Sequence, residues 1–221
     1  MKNAKKILAL LLCAVLLVGA SVAGTVAYLT SQDSVTNTFT VGKVQITLDE
    51  AAVDTDGNYV TNHDNRVKTN DYHLMPGHTY TKDPTVTVKQ PSDSSYVRML
   101  VNVTNIQNLE AVFTDASYYG ADDVFLLQNL VDGWDPTLWV YEGYTETDNI
   151  GTYEFRYFAA VDAKGGDVVL DDLFETITIP GEDVTSDNIA YLDYVEIGVV
   201  AQAIQADGFA DADAAWAAFS A

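Results

Sequence analysis

The chain has 221 residues, 48% apolar and 19% charged, enough for one mid-sized globular domain that needs no metal or disulfide staple. Its 11 basic and 32 acidic residues give a formal charge of −21, which argues against nucleic acid as a partner, because that binding rests on Lys and Arg neutralising phosphates. The acidity does not signal disorder, since 13 Tyr, 8 Phe and 3 Trp accompany many Val and Ile.

The first element in chain order reads as targeting rather than fold. Lys2, Lys5 and Lys6 precede an unbroken apolar run at residues 7–18 (ILALLLCAVLLV), an order that predicts a secretory signal and export, and the lack of cysteine beyond it fits a protein of a single-membrane bacterium. Small residues suited to cleavage follow at Ser21-Val22-Ala23 and at Thr25-Val26-Ala27. Retention as an anchor is the alternative, because residues 7–29 reach the ~20 that a membrane-spanning helix needs. Membrane contact is expected only through that uncut segment. Cys13, the single cysteine, follows Leu12 rather than a small residue, which argues against lipidation. Once the signal is removed, no thiol remains for a disulfide or a nucleophile.

Beyond the signal the apolar period is two, not 3.6. A strand is expected at residues 36–41, and Val44, Ile46 and Leu48 then alternate with Gln45 and Thr47. Residues 61–74 are polar and aperiodic and read as a long exposed loop. Further strands are expected at 85–89, at 97–103 (VRMLVNV), at 138–144, at 153–157 (YEFRY), at 174–179 and along 191–204. Turn pairs separate them: Asp56-Gly57, Pro76-Gly77, Asp132-Gly133, Gly165-Gly166 and Pro180-Gly181. Residues 121–130 fit a short helix or a strand equally. Residues 209–219 fit a helical lid, capped by Asp211, with Phe209, Trp216 and Phe219 as its apolar stripe. Many short strands with few helices between them predict an all-β sandwich over residues 28–221 as a single domain.

Motifs for chemistry are sparse. The sequence lacks a Gly-x-Ser-x-Gly elbow, a phosphate-binding loop and a dinucleotide fingerprint. His63, His73 and His78 lie in or just after the polar loop; His73 and His78 straddle Pro76-Gly77 and lack the helical spacing and neighbouring Glu of a zinc peptidase. Surface loop histidines are the main reading, with metal ligation by His73 and His78 the weaker one. Asp54-Thr55-Asp56-Gly57-Asn58 resembles the opening of a calcium loop, yet Asn65 occupies the twelfth position where Glu is required. A plain Asp-Gly turn explains Asp54 and Asp56 better. No cofactor is expected beyond weak calcium held by loop carboxylates.

Three blocks carry a family resemblance. They are GTVAYLTSQDSVTNTFTVGKVQITLDE at residues 24–50, MPGHTYTKDPTVTVKQPSDSSYVRMLVNV at 75–103, and VVAQAIQADGFADADAAW at 199–216. Together, in this order, they resemble the TasA and camelysin family of exported bacterial proteins, which depend on a SipW-type signal peptidase. The resemblance implies a jelly-roll-like β-sandwich with a short C-terminal helix, and a structural subunit of extracellular biofilm-matrix fibres. It also implies cleavage between Ala27 and Tyr28, and a donor strand over residues 28–41, carrying Tyr28, Leu29, Val35, Phe39 and Val41, that inserts into the next subunit. The partners implied are the signal peptidase and either copies of itself or related fibre subunits. Strand exchange of this kind satisfies unpaired backbone groups on both sides and, being head-to-tail, propagates as a filament. Camelysin-like relatives classed as metallopeptidases supply the second reading, and a monomeric cell-surface binding module the third.

In the second block, Pro76-Gly77 is expected to set a turn, Lys82-Asp83-Pro84 to mark a sheet edge, and Arg98 to pair with a carboxylate. Gln202 and Gln205 are expected as satisfied polar residues of an edge strand. Loss of Lys2, Lys5 and Lys6 with an acid-free signal leaves 8 of the 11 basic residues against all 32 acids, a formal charge of −24 on the exported domain. Acid pH, salt or divalent cations are therefore expected to favour association.

Overall fold

The computed structural model describes residues 30–34, 37–40, 44–119 and 126–219. The expected signal at 1–27, its expected junction at Ala27 and Tyr28, the expected donor-strand residues Leu29, Val35 and Val41, and residues 121–125 of the ambiguous segment lie outside the described residues. Strands run in order as β1 (Thr30–Ser34), β2 (Asn37–Thr40), β3 (Ile46–Ala51), β4 (Arg66–Val67), β5 (Thr79–Thr81), β6 (Thr85–Val88) and β7 (Ser92–Thr104). Helices α1 (Ile106–Val112) and α2 (Leu126–Leu130) follow, then β8 (Val131–Asp132), β9 (Trp139–Thr147) and β10 (Ile150–Tyr157). The remainder is β11 (Val161–Ala163), β12 (Val168–Val169), β13 (Thr176–Thr178), β14 (Ile197–Gln205) and helix α3 (Ala212–Phe219). The protein is all-β, and the strand pairings are antiparallel throughout the described residues.

The largest sheet has the order β2-β1-β14-β7-β10-β9, with β11 also on β7; a second runs β12-β6-β3-β4 and a third β5-β13-β8. Strand β7 organises the first because its sequence alternates strictly. Val97, Met99, Val101 and Val103 turn inward and are fully buried, while Arg98, Leu100 and Asn102 point to the opposite face. Across the ladder Met99 lies between Ala201 of β14 and Phe155 of β10, so a small and a large neighbour flank it. Val44, Ile46 and Leu48, with Val86 and Val88 of β6, join these residues in one apolar core. Trp139, with no exposed surface, anchors β9: its indole N–H donates to the Asp171 carbonyl at 2.9 Å, and its ring meets Tyr157 edge-on at 5.1 Å.

Several expectations change in three dimensions. The strand expected along 191–204 begins only at Ile197, because Ile189–Leu192 form a 3₁₀ turn and Tyr194 has φ 68, outside the extended region. Side-chain bonds fix the chain just before that turn: Asn188 Oδ1 accepts the Thr185 N–H at 2.7 Å, and Asn188 Nδ2 donates to the Asp183 carbonyl at 2.9 Å. Residues 61–74 are mostly exposed and irregular, as expected, but the segment is tied down at particular points. Arg66 and Val67 pair with Ala51 and Glu50 of β3, and the His73 N–H donates to the Thr55 carbonyl at 2.8 Å. Lys82-Asp83-Pro84 joins an edge strand, β5, to an internal one, β6, and Lys82 and Asp83 are buried. Pro84 stands before the first residue of β6, where its missing N–H costs the ladder nothing. Strand β14 is internal, between β7 and β1, rather than an edge.

Helix α2 resolves residues 126–130 of the ambiguous segment as helical. Helix α3 follows its expected cap, with the Asp211 carboxylate accepting the Ala214 N–H at 2.9 Å and Trp216 buried beneath it. Truncating Trp139 to Ala removes the largest buried side chain and orphans the Asp171 carbonyl, and is expected to cost about 3–5 kcal/mol. Urea unfolding followed by circular dichroism measures it.

Candidate functional site

Two features stand out at one end of the large sheet, a strand edge and a groove beside it. Strand β1 lies antiparallel on β14 in a register from Thr30↔Ile204 to Ser34↔Val200, and β2 lies on β1 from Ser31↔Thr40 to Ser34↔Asn37. The described part of the expected donor segment is thus a two-stranded hairpin and not one continuous strand, with Phe39 on the outer member opposite Gln32. Pairing β1 with β2 satisfies backbone groups on the side of β1 that faces away from β14. The β1 register stops short of Ile197 to Val199, and these three residues line a groove of about 590 Å³. Leu48, Leu109, Ile177 and Leu192 supply its apolar wall, while Glu50, Asn70 and Lys82 supply polar groups. A ladder edge running into an apolar groove is the combination that receives an extended peptide segment.

A buried polar assembly fixes the side of the groove formed by β3. The Asp83 carboxylate accepts the Ala51 N–H at 2.7 Å and bonds the Arg66 guanidinium, and His63 Nε2 lies 3.1 Å away. Arg66 also donates to the Asp49 carboxylate at 2.8 Å and to Thr85 Oγ1 at 2.7 Å. Burial opposes the charge on Arg66, but the hydrogen bonds to Asp49 and Asp83 outweigh it and raise its pKa. Next to it, Lys82 Nζ donates to Glu50 Oε2 at 2.7 Å with both side chains one-tenth exposed, and Asn70 donates to Glu50 Oε1 at 3.1 Å. Asp172, close to Asp83 and Glu175, has its pKa raised by burial, with those two carboxylates adding to the effect and its own backbone N–H and His63 opposing it.

The outer face of the large sheet carries a second assembly. Arg98 stacks 4.3 Å from the Trp216 ring and 5.3 Å from Phe219, donates to Gln202 Oε1 at 2.8 Å and pairs with Glu154 at 3.2 Å. The expected carboxylate partner is Glu154. Burial lowers the Arg98 pKa, and Glu154 offsets part of that loss. Gln202 is satisfied by Arg98, and Gln205 donates to the Asp207 carbonyl at 3.2 Å.

The residues singled out for metal stay apart. His73 is exposed and held by its backbone; His78 Nε2 lies 2.7 Å from the Asp56 carbonyl and its ring stands against Tyr80; His63 belongs to Asp83. Asp54 accepts the N–H groups of Asn58 at 2.9 Å and Asp56 at 3.0 Å, bonds that draw its pKa below the ordinary carboxylate value. Gly57 completes this turn at φ +80, where an added Cβ would meet Tyr80 Cα at 2.7 Å. Among the described residues, no group of three or more His, Cys, Asp and Glu is arranged to hold a metal, and no helix is long and apolar enough to cross a membrane. Glu50 and Asn70, and the role of Asp83 as a buried acceptor, escape a reading of the sequence because only the fold brings β3, the 68–74 segment and the β5–β6 junction together. No family model, curated protein or solved structure matches the chain.

Removing the Asp83 carboxylate with Ala leaves Arg66 with one acidic partner and the Ala51 N–H with none, and is expected to cost about 3 kcal/mol or more. Chemical denaturation measures it. Asp172 behaves oppositely. A folded pKa above the unfolded one means that ionised Asp172 destabilises the fold at neutral pH. Asp172→Asn is expected to raise the melting temperature at pH 7, and the gain is expected to vanish as pH falls through the raised value to the unfolded one, near ~3.9.

Proposed function

We propose that the chain is a secreted structural protein, a subunit of extracellular matrix fibres of the kind formed by the TasA and camelysin family, with a jelly-roll-like sandwich as its body. A SipW-type signal peptidase would release its N-terminal segment, and that segment would pair with the next subunit. The observation that supports this reading is the place of β1. It is the strand nearest the signal, it adds to the outer side of β14, and the edge it covers runs on into an apolar groove. The ladder bonds that β1 makes to β14 within one chain can be made equally by β1 of another, so exchange needs no new surface. An exchange that does not close on itself extends into a filament. The metallopeptidase reading draws no support from the histidines, which serve three separate anchors.

Electron microscopy of protein beginning at Tyr28, beside a chain lacking residues 28–41, tests the proposal under acid pH, added salt and added calcium. Filaments are expected from the first alone. Filaments from both would overturn strand exchange, and none from either would overturn the fibre role.

A further inference from the structure

Glu50, Lys82 and Asn70 form a group that strand exchange does not use. Glu50 and Lys82 are buried and Asn70 is half-buried at the groove wall. One carboxylate binds both nitrogens: Oε2 accepts Lys82 Nζ at 2.7 Å and Oε1 accepts Asn70 Nδ2 at 3.1 Å. The Asn70 amide is oriented by two further bonds. Its Nδ2 donates to the Ala51 carbonyl at 2.9 Å, and its Oδ1 accepts the Val53 N–H at 3.0 Å. The lysine is fixed as well, with its ammonium 5.7 Å from the Tyr72 ring centroid and the Tyr72 hydroxyl bonded to the Thr81 carbonyl at 3.0 Å.

An ordinary buried ion pair would need only Lys82 and Glu50. The addition of a primary amide on the second oxygen of the same carboxylate places an amine nucleophile, an acyl carbon and a shared proton carrier within one hydrogen-bonded unit. We propose that Lys82 and Asn70 become joined by an intramolecular isopeptide bond, with Glu50 as the catalytic residue that carries protons between them. This inference stands apart from the fibre reading.

The steps balance as follows. Lys82 Nζ gives one proton to Glu50 Oε2, leaving two neutral groups that a buried site holds at lower cost than two charges. The Nζ lone pair attacks Asn70 Cγ, a C–N bond forms, and the carbonyl electrons move to Oδ1, where the Val53 N–H stabilises the oxyanion. Glu50 delivers its proton through Oε1 to Nδ2 and receives another from Nζ through Oε2. The Cγ–Nδ2 bond breaks as the carbonyl re-forms, and the nitrogen, which now carries three hydrogens, departs as ammonia. Of the five hydrogens on the ammonium and the amide, three leave with ammonia, one stays on the new amide and one remains on Glu50. Nothing is oxidised or reduced. The product ties the 68–74 segment to the β5–β6 junction, so that neither can separate from β3 alone.

The test is the mass of the purified full chain and of its tryptic peptides. The proposal expects a loss of about 17 Da, one ammonia, from the mass that the sequence requires. Trypsin cuts after free lysine, so residues 69–89 are expected as one uncut, lighter peptide whose fragment ions link Asn70 to Lys82. Glu50→Gln, which cannot carry the proton, and Lys82→Arg are each expected to restore the full mass for their sequence. A wild-type chain that keeps its full mass and is cut after Lys82, even after prolonged incubation, overturns the proposal without need of any variant. A loss that persists in both variants, or that maps to other residues, overturns it equally.

Discussion

The buried Asp83 carboxylate is the constraint on which the second sheet and its groove depend. It is 3% exposed in its side chain and binds a backbone N–H of β3, the guanidinium of β4 and an imidazole from the segment before it. A carboxylate removed from water at that depth must be met by donors, and the donors come from parts of the chain that have no apolar reason to meet. Strand β4 is two residues long and could not hold itself on β3 by ladder bonds alone. Arg66, with donors on Asp49, Asp83 and Thr85 at once, supplies what the short ladder lacks. The consequence reaches the groove, because Glu50 and Lys82 next to this hub set the polar side of its wall.

The outer face of the large sheet solves a different problem with similar parts. The outer face of β7 would expose Arg98 and Leu100 to water if nothing covered it, and α3 lays Trp216 and Phe219 over the guanidinium. Arg156 then ties the helix down by bonding Glu154 at 2.7 Å and Asp213 of α3 at 2.6 Å. Residues Arg98 and Arg156 share Glu154, so the helix, β7 and β10 are joined through one acid. Part of the value of that acid lies in keeping two like charges close, a placement that would be unfavourable without it.

Legibility followed periodicity. The alternation in VRMLVNV and YEFRY names both the strands and their buried faces, because a period of two survives in any register. Helix α1 left a weaker trace: Ile106, Leu109 and Val112 are its buried residues, but seven residues are too few for a helical period to stand out against strands. Residues 191–195 look alternating, yet the 3₁₀ turn at Ile189–Leu192 and the positive φ of Tyr194 override that pattern. Segment 61–74 gave no signal because it is fixed by Arg66, Asn70 and Tyr72 reaching backbone and carboxylate partners, interactions with no spacing rule. The same holds for Glu50, Asn70 and Lys82, which are separated in sequence and joined only by the fold.

Charge acquires a second meaning once the cations are located. Every described Lys and Arg is engaged within the chain: Arg66 with Asp49 and Asp83, Lys68 with the Leu48 carbonyl, Lys82 with Glu50, Lys89 with Asp167, Arg98 and Arg156 with Glu154, and Lys164 with Asp93. The excess of 32 acids over 11 bases sets up a net repulsion between two copies that approach each other. Among the described residues, side-chain salt bridges between copies have few free donors to draw on. Backbone pairing escapes that limit, since an N–H to carbonyl ladder carries no net charge and its strength does not depend on which acids surround it. On a surface of this composition, an association made through a strand edge works with the charge distribution, while screening governs how often two edges come close enough to use it.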